Sequence, residues 1–209
     1  MRLVDLSHTL VDGMAVFPGD ASPRLVRTQN HATDGAMVTV LELGAHCGTH
    51  VDVPLHFRAG ERGLEALSLA HFHGPARVVT ADVGDEPGEI PLAVLDEVDL
   101  AGLDFLLLRT GWERHWGTPR YYDGWPSLAP GLARALSAAG LKGVGLDTPG
   151  ADPLHGRLAH DLFAAATMIN IENLAHLDEL PDGRFELLVL PLKLSGTEAS
   201  PVRAVALLP

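Results

Sequence analysis

The stretch PGLARALSAAGLKGVGLD, Pro130 to Asp147, decides how the rest of the chain is read. Pro130 to Ala139 predicts a helix closed by Gly140, and Gly143 to Leu146 predicts a short buried strand that delivers Asp147 at its C-terminal end. A helix followed at once by a strand is half of an α/β unit, so a sheet with helices packed on it is expected.

Working towards the N-terminus, Phe105 to Leu108 is an uninterrupted apolar run, the mark of a strand covered on both faces. It ends in Arg109-Thr110-Gly111-Trp112, a polar and aromatic loop suited to the border of a cleft. Ile90 to Val98 reads as a helix with Pro91 near its first turn, Ala76 to Val83 as a strand, and Gly63 to Phe72 as a helix with Leu64, Leu67 and Phe72 apolar. MVTVLEL, Met37 to Leu43, alternates and is rich in β-branched residues, which predicts a strand running directly into the histidine-rich segment after it. Leu3 to Leu6 opens the chain as a short alternating segment, and Phe17-Pro18-Gly19-Asp20 punctuates a loop.

Towards the C-terminus, residues 148–160 form a loop containing His155 and ending at His160. A helix over Asp161 to Thr167, a strand over Met168 to Glu172, and a short helix carrying Leu174, Leu177 and Leu180 follow. Glu186 to Leu190 and Val202 to Leu208 are two final strands joined by a loop over residues 195–201. With no repeat, low-complexity tract or linker, residues 1–209 read as a single mixed α/β domain.

Composition narrows the function. The 209 residues are 46% hydrophobic and 20% charged, which fits a globular rather than a disordered chain. The formal net charge is −12 and no window is rich in Lys or Arg, which argues against nucleic acid or an anionic membrane as partner. No apolar run reaches the roughly 18 residues of a membrane span. The opening MRLVDLSHTLVDG lacks the apolar core of an export signal, and the single cysteine, Cys47, excludes an internal disulfide, so a cytoplasmic protein is expected.

Chemistry concentrates in HCGTHVDVPLHF, His46 to Phe57. His46 and His50 are four apart, as on the helix of a zinc protease, but Gly48, Thr49, Val51, Val53 and Pro54 are poor helix material. An extended segment fits better: His50, Asp52, Pro54 and His56 would share one face while Val51, Val53 and Leu55 pack on the other. Gly48 would let the backbone turn so that His46 swings onto the same site. Imidazoles with a carboxylate suit zinc, manganese or iron(II), and a carboxylate can bridge two metals. Such a site needs further donors, and Asp147, His155, His160, Asp161, Glu172 and His176 are all open to that role. Taken singly, His71, His73 and His115 read as structural hydrogen-bonders and Cys47 as a packed thiol.

The segment from His46 to Phe57 matches the signature HxGTHxDxPxHF, and in it the chain resembles the metal-dependent cyclase family of bacterial kynurenine formamidases (arylformamidases) and isatin hydrolases. Further blocks match along nearly the whole length: the opening DLSHTL, the Pro-Gly-Asp step after Phe17, Leu146-Asp147-Thr148-Pro149, His160, Ile171-Glu172-Asn173-Leu174 and the closing Ser200-Pro201-Val202-Arg203-Ala204.

The resemblance implies a layered β/β/α, swivelling-domain-like fold with a central, mostly parallel sheet. It implies that His46, His50 and Asp52 hold one divalent metal, that Asp52 bridges to a second completed by His160 and Glu172, and that His56 is the general acid/base. Two zinc ions, or manganese in their place, are the implied cofactors, and a homodimer or homotetramer the implied assembly. Phe17 stands where kynurenine formamidases carry a tryptophan that stacks on a small aromatic amide substrate, so a stacking wall is kept with a different ring.

Two cations would lower the pKa of a bridging water towards about 7. The resulting hydroxide would attack the formamide carbonyl of N-formyl-L-kynurenine, with His56 passing a proton to the departing arylamine. The absence of a GxSxG nucleophile elbow speaks against a serine hydrolase. The alternatives are hydrolysis of isatin or another cyclic amide, a cyclase or dehydratase using the same metals, and a non-catalytic metal-dependent binder of a small aromatic acid. A binder has no need of His56.

Overall fold

The computed structural model describes residues 1–84 and 86–209. Thirteen strands form among them: Arg2–Asp5 (β1), Arg24–Gln29 (β2), Val38–Glu42 (β3), His50–Asp52 (β4), His73–Thr80 (β5), Glu89–Ile90 (β6), Phe105–Arg109 (β7), Ser127–Leu128 (β8), Gly143–Leu146 (β9), Ile169–Glu172 (β10), Phe185–Leu188 (β11), Ala199–Pro201 (β12) and Val205–Leu208 (β13). The α-helices are His31–Asp34 (α1), Pro130–Ala138 (α2) and Leu158–Ala165 (α3).

Nine strands make one sheet in the order β1-β13-β11-β5-β7-β9-β10-β4-β12. The four central strands, β5, β7, β9 and β10, are parallel. The strands flanking them are antiparallel. Parallel neighbours need a crossover, and α2 returns the chain from β7 to β9 while α3 returns it from β9 to β10. The α/β unit at Pro130–Asp147 is therefore the crossover that builds the sheet's centre.

Strand β7 shows why its sequence has no polar alternation. Leu106 and Leu108 pack with Val144, Leu146, Leu132, Leu136 and Phe163 on the helical side. Phe105 and Leu107 pack with Val51, Ile169, Ile171, Phe72 and Leu187 on the other. These four residues of β7 are fully buried. The crowding is met by glycine on β9, where a Cβ on Gly145 would stand 2.5 Å from Leu107 Cδ2 and 2.7 Å from Leu174 Cδ1.

Several local expectations change. Residues 63–72 form two 3-10 turns, Leu64–Ala66 and Leu69–Phe72, separated by extended backbone at Leu67 and Ser68 and lacking side-chain caps. Leu64, Leu67 and Phe72 do reach the core, so the apolar spacing was met by turns instead of a helix. Pro91 is extended and precedes a short turn at Leu92–Leu95, with Glu89–Ile90 a strand. Around Leu177 only the turn Leu177–Glu179 forms.

The alternating MVTVLEL does yield β3, but its partner is β2, for which no strand was expected, and the pair is a hairpin outside the main sheet with every β3 residue exposed. Part of the closing loop is strand too, since Ala199–Pro201 pairs with β4, while the last strand begins only at Val205. Among the described residues no helix is long and apolar enough to cross a membrane.

Candidate active site

Strand β4 is three residues long and lies between β10 and β12, antiparallel to both. Its register sets His50 opposite Glu172 and Asp52 opposite Asn170, on one side of the sheet, while Val51 faces Ile171 in the core. Pairing across the sheet thus brings Glu172, distant in sequence, beside the histidine-rich segment. Gly48 has φ +67°, a conformation that favours glycine, and a Cβ there would run into the Leu10 side chain. This turn carries His46 back over the strand, with His46 Nδ1 2.9 Å from Asp52 Oδ1.

Extended backbone ends at Val53. Pro54–His56 is a 3-10 turn, so His56 reaches the cavity by that turn and not by continued strand alternation. His46 and His56 rings lie 4.2 Å apart, closer than the 5.1 Å between those of His46 and His50.

The orientation of His50 is fixed by its far nitrogen. Nδ1 lies 2.9 Å from the Gly48 carbonyl, so the N–H there donates to the backbone and leaves Nε2 as the nitrogen that faces the cavity. Nε2 is 3.4 Å from both Asp52 Oδ1 and Glu172 Oε2. His50 Nε2 is buried without a hydrogen-bond partner, and the equally buried Asp52 Oδ1 makes no well-directed bond, although His46 Nδ1 stands 2.9 Å from it. Leaving such atoms unpaired is costly unless something bridges them. Imidazole nitrogen plus carboxylate oxygen is a donor set for a divalent transition metal, and the residues present fit one.

Among the described residues, two groups have ligand atoms close enough to share an ion: His50 with Asp52 and Glu172, and His46 with Asp52 and His56. Asp52 belongs to both, the arrangement a bridging carboxylate needs. His160 adjoins through Nε2, 3.2 Å from Glu172 Oε1. All of His46, His50, Asp52, His56, His160 and Glu172 line one cavity of about 490 Å³.

Electrostatics follow from this packing. Burial disfavours the His50 cation, but Asp52 and Glu172 outweigh it and hold its pKa well above the usual value. Burial also opposes charge on His160, yet Asp152 and Glu172 push its pKa up to about 10. Asp52 is held well below the ordinary carboxylate range by His50 and His46 despite its burial. Without another positive charge, these carboxylates keep protons on their imidazoles; a divalent cation would replace those protons. His56 goes the other way, shifted down chiefly by burial, with the pull of Asp52 opposed by His46.

The cavity wall is aromatic. Phe17 meets Trp125 and Tyr122 edge-on at 5.9 and 6.5 Å, and Phe57 stacks on His160 at 4.2 Å. Phe17 is therefore a wall of the cavity as well as a packed loop residue.

Other open candidates fall away from the cavity. Asp147 is fully buried and accepts from Thr110 N–H, Thr110 Oγ1 and Gly111 N–H, tying two loops together. Asp161 pairs with Arg157, and His176 Nδ1 meets the Asp5 carbonyl. His155 is exposed and does not line the cavity.

Sequence reasoning missed Asp152, Asn170, Asn173, Tyr122 and Trp125. Asn170 stands two residues before Glu172 on a strand, so the period of two could have found it. Asn173 donates through Nδ2 to the Gly48 carbonyl at 2.7 Å and accepts from Tyr121 OH at 2.9 Å, bracing the Gly48 turn. Nothing local in the sequence marks Asp152.

The Cyclase family model matches residues 4–153. A kynurenine formamidase of Salinibacter ruber is 36% identical, the match covering 98% of this chain and 97% of that one. Among solved structures, isatin hydrolase A from Labrenzia aggregata, bound to benzyl benzoate, is 25% identical with TM-score 0.87, over 98% of this chain and 93% of that one. A protein described as a metal-dependent hydrolase from Bacillus stearothermophilus is 26% identical with TM-score 0.81, over 98% and 97%.

Proposed function

The chain belongs to the Cyclase family, and from that premise we propose that it hydrolyses N-formyl-L-kynurenine to L-kynurenine and formate, a step of tryptophan degradation, with two bound zinc ions. In coarser terms it is a hydrolase of carbon–nitrogen bonds in non-peptide amides. The observation that carries the reading is the convergence of the Asp52 and Glu172 carboxylates on His50 Nε2, which has no hydrogen-bond partner, beneath an aromatic wall and beside His56.

His46, His50, Asp52, His160 and Glu172 would hold the metals, with Asp52 common to both. When bound, such ions supply Lewis acidity and a water of lowered pKa. Phe17, Tyr122 and Trp125 offer a slot for the aryl ring, and Phe57 closes the cavity over His160. His56, kept neutral by its lowered pKa, accepts the proton of the attacking water and returns it to the aryl nitrogen. Water's oxygen ends on the formyl carbon, the C–N bond breaks, and the arylamine leaves neutral beside formic acid, which releases its remaining proton to solvent as formate.

Isatin is the second reading, favoured by the close superposition on isatin hydrolase A and by the smaller ring of Phe17. A stopped assay on N-formylkynurenine, isatin and simple formamides, with metal content measured on the same sample, tests both. Turnover of N-formylkynurenine by protein carrying near-stoichiometric zinc is expected. Preference for isatin would move the substrate to the second reading, and turnover by metal-free protein would remove the mechanism.

A further inference from the structure

We propose that Asp152 is the positioning residue that aims His160 into the cavity, an inference that rests on the metal reading above. Asp152 is 5% exposed, and both of its oxygens are engaged. Oδ1 accepts the Ala159 N–H at 2.9 Å and Oδ2 accepts the His160 N–H at 3.0 Å, joining the loop before α3 to the first turn of that helix. Oδ2 also lies 2.6 Å from His160 Nδ1. The Asp152 carbonyl is in turn held by Trp125 Nε1–H at 3.0 Å.

A carboxylate with these neighbours only accepts, so His160 Nδ1 must carry the proton. The nitrogen left for the cavity is then Nε2, the atom 3.2 Å from Glu172 Oε1. Phe57 lies flat on the ring, at 4.2 Å and 30°, and restricts its rotation. Asp152 therefore fixes both the direction and the tautomer of His160. A hydrogen bond to the far nitrogen of a metal-ligating histidine does this generally, and losing it typically weakens metal binding about 10- to 100-fold.

Asp152→Asn is isosteric and keeps one of the two caps, the bond from the Ala159 N–H, while replacing the oxygen that meets both His160 N–H and Nδ1. Its amide oxygen can still accept a helix N–H, but an NH2 group facing Nδ1 would turn that nitrogen into the acceptor and place the proton on Nε2. The experiment strips the full-length protein of metal and titrates zinc against a chromophoric chelator. It compares the parent, Asp152→Asn, and His160→Gln, the last identifying which uptake depends on His160.

In Asp152→Asn that uptake should weaken about 10- to 100-fold while the variant stays folded, its melting temperature lowered only by the lost His160 N–H cap. Parent-like affinity in Asp152→Asn, where the parent itself binds, would overturn the role of Asp152 alone. A parent that takes up no zinc would overturn the metal reading instead. Histidine-labelled 15N NMR of the zinc-loaded parent needs no variant to fold: His160 should show a protonated Nδ1 and an unprotonated, zinc-bound Nε2, and the reverse pattern overturns the proposal.

Discussion

His50 and His8 are two of the histidines whose buried ring nitrogen, Nε2, lacks a hydrogen-bond partner, and they differ in everything around it. His50 Nε2 has carboxylate oxygens of Asp52 and Glu172 at 3.4 Å, and the ring's pKa is driven well up. His8 lies flat on Trp116, with ring centroids 3.9 Å apart and planes 5° from parallel. Burial, helped by the nearby charge of His176, drives its pKa down to about 4. Both are penalised for charge by burial; only the acidic neighbours reverse the sign. An orphaned imidazole nitrogen therefore points to a cation where carboxylates converge on it and to a neutral packed ring where they do not.

The largest break in that contrast comes from Asp52→Asn. Asp52 belongs to both ligand groups, so its loss should abolish stoichiometric metal uptake and take turnover with it, as metal analysis and the substrate assay would read. Retained stoichiometric metal would show that the orphaned atoms converge on nothing. His56→Ala sharpens the same point within the cavity: kcat should fall about 10²- to 10⁴-fold with metal content unchanged, the signature of a lost acid/base. Since His56 also lies in one ligand group, loss of metal in that variant would reassign it as a ligand.

A smaller effect is expected at the turn that aims His50. Gly48→Ala would place a side chain at φ +67° and against Leu10, beside the carbonyl that orients the ring. Strain of this kind costs roughly 1–3 kcal/mol, measurable by urea unfolding. Weakened zinc binding should accompany it; unaltered stability would mean that the turn relaxes freely.

What the sequence revealed of this site follows how local each feature is. Gly48, His50 and Asp52 could be read from one segment because a turn and a three-residue strand depend on nearby backbone. Glu172 could be placed at the end of a strand, but its position opposite His50 depends on β4 pairing with β10, a non-local choice that one sequence does not encode visibly. Asp152 reaches His160 by the path of the loop before α3, which has no periodicity to read. The α/β unit of Pro130–Asp147 was legible because its helix and strand patterns are long and distinct. Residues 63–72 were not, because apolar spacing alone cannot separate a helix from two turns joined by extended backbone.

The weakest test concerns the other member of the pair. His8 has a folded pKa near 4 against an ordinary value of 6.5, so below pH 6.5 the unfolded chain takes up a proton that the folded chain refuses until about pH 4. Stability must then fall as pH drops through that window, because the unfolded state binds more protons. The ring is partly exposed, which reduces the effect to roughly 1–2 kcal/mol. His8→Gln loses the stacking on Trp116 at every pH but removes this titration. Urea unfolding at pH 7 and pH 4.5 should show the parent losing more stability on acidification than the variant, with carboxylate titration common to both cancelling in the difference. Equal losses would mean that His8 charges freely in the fold, and the contrast with His50 would then rest on geometry alone.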